Sequence, residues 1–253
     1  MRHLLRHPFR VAIRGTTFAL SMLLEVVWFY LRNSSREKNG PDHLRRAAWG
    51  QRLVRRLLRA AAIRTTFHGA PPTTGVLVCN HLSYLDVLVL ADAHPMIFMS
   101  KSEVGNWPLI GAAARCAGTL FINRRKRSDV LCLASVMADV VERSSAVLAF
   151  FPEGTSSGGA DVLPVHSGLF APAVAHGWPV TPAGIRYELA DGSVPDDVAY
   201  WGGMTFVPHF LNLLTKRRIE AHVSFGRPLP AGLDRKALAH AAQAEALRLS
   251  RPR

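Results

Sequence analysis

The stretch GVLVC followed by NHLSYLD, Gly75 to Asp86, sets a short apolar run directly against a polar corner. Continuous apolar runs of this length read as strands buried on both faces, the kind a parallel sheet uses. Ser83 reads as the cap of a following helix with Asp86 at its third position, the S-x-x-D form of a capping box, and His81 then lies just outside that helix. On one continuous helix a five-residue spacing would turn the two side chains about 140° apart, so the strand-to-helix corner is what brings His81 and Asp86 together. There Asp86 can hold the imidazole tautomer while the other ring nitrogen takes a proton from a hydroxyl. The bland alternative is a helix-cap aspartate beside a polar corner.

The pattern recurs downstream. FFPEGTSS, Phe150 to Ser157, places a Pro-Glu-Gly turn after the apolar run Ala146 to Phe151, and GTLFINR, Gly118 to Arg124, ends a third apolar run on a guanidinium. Further strand candidates are Ile63 to Phe67, Met96 to Met99, Val180 to Ile185 and Ile219 to Phe225. Helical stretches at Leu85 to Ala93, Leu109 to Cys116, Ser128 to Glu142, Gly168 to His176, Met204 to Leu214 and Arg235 to Leu249 separate or follow them. This alternation predicts an α/β fold with a mostly parallel central sheet flanked by helices. Polar corners at the carboxyl ends of such strands converge on a ligand.

Four ordered blocks give the chain a resemblance to the glycerolipid acyltransferases, specifically the 1-acylglycerol-3-phosphate acyltransferase family. The blocks are His81 with Asp86, Gly118 with Phe121 and Arg124, the run Phe151 to Thr155, and a late Val/Pro-rich strand at Pro179 to Pro182. The resemblance covers roughly residues 65 to 227 and is far more specific than any one block. It implies transfer of a fatty acyl chain from acyl-CoA or an acyl-carrier-protein thioester, a co-substrate with no further cofactor or metal, to the hydroxyl of a lyso-lipid. The leading acceptor is 1-acyl-sn-glycerol-3-phosphate, with lyso-ornithine lipid as the alternative. His81 and Asp86 become base and orienter, and Glu153 and Gly154 lie near the reacting atoms, where a backbone N–H could serve the oxyanion. Gly118, Phe121, Phe151, Pro152 and Thr155 join the substrate site, and Arg124 is the best phosphate ligand because a guanidinium makes paired charge-assisted bonds. Lys101, which opens KSEVGNWPLIG, occupies the position where the family's lysine faces the cleft.

Charge is unevenly placed. Of the formal net charge of +13, residues 1–64 carry 14 Lys and Arg against 3 acidic residues, net +11, and residues 65–253 carry 17 against 15, net +2. Gly15 to Leu31 is apolar except for small hydroxyl residues and Glu25, and as a helix would extend about 26 Å, slightly less than a hydrocarbon core of about 30 Å. Glu25 is costly at the bilayer centre, which favours an interfacial or re-entrant helix, or a tilted one with the carboxyl facing protein. The Arg/Leu pattern of Asp42 to Arg64 suits a surface of anionic headgroups. Residues 1–64 therefore read as basic membrane-anchoring helices and 65–253 as the acyltransferase domain, on the cytoplasmic face of the inner (plasma) membrane with a monotopic or single-pass anchor. No finger or RNA-binding consensus accompanies the charge, so no nucleic-acid partner is expected.

Where the family's third block continues F-P-E-G-T-R-S, Ser156 stands in place of the arginine, which opens the acceptor class. The same change creates GTSSG, Gly154 to Gly158, a match to the nucleophile elbow of serine hydrolases, but no helix is expected directly after it. Cys79, Cys116 and Cys132 read as buried free thiols of a reducing compartment. His166, His176 and His209 have no spacing that pairs them with a carboxylate, Trp107, Trp178 and Trp201 read as core or interface, and Pro179 and Pro182 as backbone-shaping.

Overall fold

The structure, a computed structural model, describes residues 7–33, 42–123, 127–159 and 163–252. Its strands are β1 (Ile63–His68), β2 (Val76–Cys79), β3 (Met96–Lys101), β4 (Leu120–Ile122), β5 (Val147–Phe150), β6 (Val180–Leu189) and β7 (Ile219–Phe225). They form one seven-stranded sheet in the order β1-β7-β6-β2-β5-β3-β4. Every pairing is parallel except β6 with β7, so β7 and β1 run against the other five. All four residues of β2 are buried, as expected for a strand with helices over both faces. Gly75 just before it has φ +81°, and a Cβ there would meet the Pro179 carbonyl oxygen at 2.5 Å, so no other residue fits where β2 enters beside β6.

Alternation along β2 divides the core. Leu77 and Cys79 join the layer formed with α2 (His43–Ala60), α3 (Leu85–Ala93) and α8 (Phe206–Thr215). Val76 and Val78 face the layer built with α5 (Arg127–Ala138), α6 (Ala171–His176) and α9 (Arg235–Ser250). A third cluster joins α1 (Pro8–Asn33) and α2 to α4 (Ile110–Cys116) through Met22, Val26, Phe29, Trp49, Leu53, Leu57, Ala113 and Cys116. The acidic loop near residue 195 contains one short helical turn, α7 (Val194–Asp197), capped by Ser193.

The first helix extends beyond its apolar core at the N-terminus, where its basic residues find partners. Arg10 donates to the Thr215 carbonyl and Arg14 to those of Leu214, Lys216 and Arg217, at the C-terminal end of α8, where carbonyls lack helical partners. Glu25 turns toward protein and pairs with Arg56 of α2. Phe18 meets Phe210, and Phe29 packs on Trp49. So α1 lies lengthwise against the domain, with Leu20, Leu23, Leu24, Val27 and Leu31 exposed on its outer side.

Three sequence expectations change. Ser83 does not cap α3: Tyr84 precedes the helix without a side-chain cap, and the Ser83 hydroxyl is buried with no partner. Only the return half of the capping box forms, with Asp86 accepting from the Ser83 N–H at 2.9 Å. Cys79 and Cys116 are buried, but Cys132 is exposed on α5. His176 does meet a carboxylate, Glu142 at 2.8 Å, which also accepts from Trp178 Nε1 at 2.9 Å; a partner 34 residues away is invisible to local spacing.

Candidate active site

The carboxyl ends of β2, β3, β4 and β5 lie along one end of the sheet, as parallel strands require. At the end of β2 the Asn80 side chain replaces the strand ladder: its amide donates to the Ile185 carbonyl at 3.0 Å and its oxygen accepts the Ile185 N–H at 2.7 Å. His81 then leaves the sheet, held at both main-chain groups by the segment after β5. Its N–H donates to Glu153 Oε1 at 2.8 Å, and its carbonyl accepts the Ser157 N–H at 2.9 Å.

The imidazole stacks on the Phe151 ring, with centroids 4.1 Å apart and planes 14° apart. Nδ1 lies 2.9 Å from Asp86 Oδ2, so Nε2 is the nitrogen left for substrate. Asp86 is wholly buried. Its Oδ2 also accepts the N–H groups of Leu82 at 2.6 Å and Ser83 at 2.9 Å, and its Oδ1 accepts the Tyr187 hydroxyl at 2.6 Å. A group surrounded by four donors is served as a carboxylate. The corner has brought together the two side chains expected as base and orienter.

Glu153 sits behind the histidine. Oε1 takes His81 N–H and Oε2 takes Leu163 N–H at 2.9 Å. Burial pushes its pKa up to about 7, against the pull of those two N–H groups and of His81. It touches the histidine through the backbone N–H of His81 and not through the ring. Gly154 closes the turn, its N–H donating to the Phe151 carbonyl at 3.2 Å, and lies on the cavity wall with His81.

A cavity of about 480 Å³ opens at His81, within the range of small-molecule sites. Phe151, Thr155 and Lys101 line it, with Lys101 exposed at the end of β3. Gly118, Phe121 and Pro152 are not on its wall. Gly118 has φ +82° and no room for a Cβ beside Ile97, Phe121 packs against Gly105, and Pro152 is buried behind the turn. These three shape the strand ends instead of touching the cavity. Arg124 lies outside the described residues. Sequence reading missed most of the wall: Phe18 and Met22 of α1, Leu53 and Leu57 of α2, Ala113 of α4, and Phe206 and Phe210 of α8. The Lys, Arg, Asp and Glu side chains on the wall among the described residues are Lys101 and Glu103. Tyr187 was also missed, having no signal beyond its place in an apolar strand.

Ser156 does not form a nucleophile elbow. Its hydroxyl donates to the Tyr200 carbonyl, and residues 157–159 after it are not helical. Among the described residues no group of three or more His, Cys, Asp or Glu could hold a metal ion.

A histidine 2.9 Å from a buried aspartate at the head of an apolar cavity is an arrangement that can take a proton from a hydroxyl. Residues 64–186 match the family model described as Acyltransferase. The chain is 32% identical over 247 residues to the lyso-ornithine lipid O-acyltransferase of Rhodobacter capsulatus, covering 93% of this chain and 88% of that protein. It is 37% identical over 114 residues to the 1-acyl-sn-glycerol-3-phosphate acyltransferase of Neisseria gonorrhoeae, covering 45% and 44%. The crystal structure of the 1-acyl-sn-glycerophosphate (LPA) acyltransferase, PlsC, from Thermotoga maritima aligns with TM-score 0.61 at 17% identity, over 91% of this chain and 95% of that one, a likeness of fold. The chain belongs to the glycerolipid acyltransferase family. It is an acyltransferase, and the matched region contains the histidine and aspartate described above.

Proposed function

We propose that the enzyme transfers a fatty acyl group from a thioester, acyl-CoA or acyl-ACP, to the hydroxyl of a lyso-lipid at a membrane surface, with lyso-ornithine lipid the preferred acceptor over 1-acyl-sn-glycerol-3-phosphate. The observation that carries the reading is the His81–Asp86 pair at the head of the apolar cavity. His81 Nε2 takes the acceptor hydroxyl proton as the oxygen attacks the thioester carbonyl carbon. The tetrahedral intermediate collapses, the C–S bond breaks, and the leaving thiolate takes the proton from the imidazolium, giving ester and free thiol. Asp86 stabilises the imidazolium in between. No group on the enzyme needs to be acylated.

The acceptor preference is supported by the nearly full-length match to a lyso-ornithine lipid O-acyltransferase and by Ser156, which supplies no cation where the family pattern has one. An ornithine head offers both an ammonium and a carboxylate, and among the described residues the cavity wall carries Lys101 and Glu103. Membrane association is supported by the exposed apolar side of α1 and by that helix being long and apolar enough to cross a bilayer. Its lengthwise contact with the domain favours a monotopic seat over a span.

The test is to incubate membranes containing the enzyme with labelled acyl thioesters and a panel of lyso-lipids. Ester formation on lyso-ornithine lipid at a higher kcat/KM than on lysophosphatidic acid is the expected result. Hydrolysis without ester formation would remove the transferase reading, and a reversed ratio would remove the acceptor.

A further inference from the structure

Only one oxygen of Asp86 serves His81. Oδ2 gathers the imidazole and two backbone N–H groups, while Oδ1 accepts from Tyr187, 101 residues further along the chain and outside all four sequence blocks. Tyr187 reaches the carboxylate because β6 outlasts its neighbour. Strand β2 stops at Cys79, Asn80 closes the ladder on Ile185, and β6 runs on to Leu189, held by its antiparallel pairing with β7. Two residues beyond Ile185 the pleat returns to the same face, which sets the Tyr187 phenol against the first turn of α3. Tyr187 is 5% exposed and Asp86 fully enclosed, so no water is needed to explain either partner.

We propose that Tyr187 is a positioning residue for acyl transfer, its hydroxyl locking the Asp86 carboxylate so that Oδ2 stays aligned on His81 Nδ1. This rests on the reading of His81 as the base. An aspartate carboxyl rotates in a broad torsional well, and a bond to each oxygen removes that freedom. The phenol stays a donor throughout the working pH range, since burial first, then the Asp86 charge, pushes its proton loss well above the usual value. The other ionisable groups around the carboxylate are His81, the Cys79 thiol, likewise pushed up by burial, and Glu153. Neither Cys79 nor Glu153 offers a donor to Oδ1 among the bonds formed at this corner.

The experiment is Tyr187→Phe in the full-length enzyme, assayed in its membrane with a labelled acyl thioester and a lyso-lipid. Loss of one donor to a buried carboxylate should lower kcat about ten- to hundredfold, with KM for both substrates unchanged within about twofold. On an Asp86→Asn background the same change should cost almost nothing more. In ¹⁵N-histidine spectra the variant should lose the fixed-tautomer signature of the His81 ring. An unchanged kcat with a lower Tm would mean that the hydroxyl only satisfies itself in the core, and a raised KM at constant kcat would make it a substrate contact. A full penalty persisting in Asp86→Asn would show a route that bypasses Asp86. Each of these overturns the proposal. If Tyr187→Phe does not fold, fluorotyrosine at position 187 keeps the hydroxyl and alters its acidity, and an unmoved kcat then overturns it. Activity retained in His81→Ala would instead sink the underlying assignment of the base.

Discussion

The His81 N–H donates to Glu153 Oε1 at 2.8 Å, so the turn after β5 governs the catalytic corner after β2 through the main chain. Substituting Glu153→Gln replaces one of two acceptors by an NH2 group, which must face the N–H of either His81 or Leu163. We expect kcat to fall by at least tenfold with the protein still folded. Unaltered kcat would mean that the tie is dispensable.

The same carboxyl gives stability a pH dependence. Its folded pKa of about 7 lies above the usual carboxylate value, so its contribution is fully present below about pH 4.5 and is lost as pH rises to about 7. Unfolding free energy should fall through that window with a slope of up to about 1.4 kcal/mol per pH unit from this group. Denaturant melts of the parent and Glu153→Gln between pH 4.5 and 7.5 measure it, the variant having the flatter curve. Parallel curves would contradict the assignment.

His81→Ala should cost about 10² to 10⁴ in rate, the usual worth of a general base. Because Asp86 acts through His81, adding Asp86→Ala should fall well short of multiplying the losses. Single-turnover rates of the two single variants and the double settle this, and multiplicative losses would separate the residues.

Ala113 of α4, 8% exposed where that helix packs near α2, lines the cavity. Ala113→Phe should shift the preferred acyl donor to shorter chains, at a stability cost of about 1–3 kcal/mol for overpacking. A set of thioesters of graded length reads the shift, and an unchanged preference would place the acyl chain elsewhere.

Leu24 is 65% and Leu31 76% exposed on α1. The double change Leu24→Asp and Leu31→Asp should leave Tm nearly unmoved while making the protein extractable from membranes by high salt, whereas the parent requires detergent. Salt extraction of the parent would show that charge alone holds it.

Ser156→Arg should raise the kcat/KM ratio of lysophosphatidic acid to a phosphate-free lyso-lipid by adding a fork for phosphate beside Tyr200. A constant ratio would take residue 156 out of the acceptor site.

Sequence by itself determined the seven strands, the order of the helices between them, and the corner that joins His81 to Asp86. Those features are local: apolar runs have a period, a histidine and an aspartate five residues apart have a fixed reach, and the strand-to-helix turn lies between them. Tertiary structure decided everything that depends on distant segments meeting. It assigned Glu153 to the His81 backbone, brought Tyr187 to Asp86, and gave His176 a carboxylate partner. It also made the two N-terminal helices walls of the cavity, although their composition announced only a membrane. The physical reason is that register between non-adjacent strands and the crossing of packed helices leave no trace in local periodicity, whereas a side chain's reach along its own segment does.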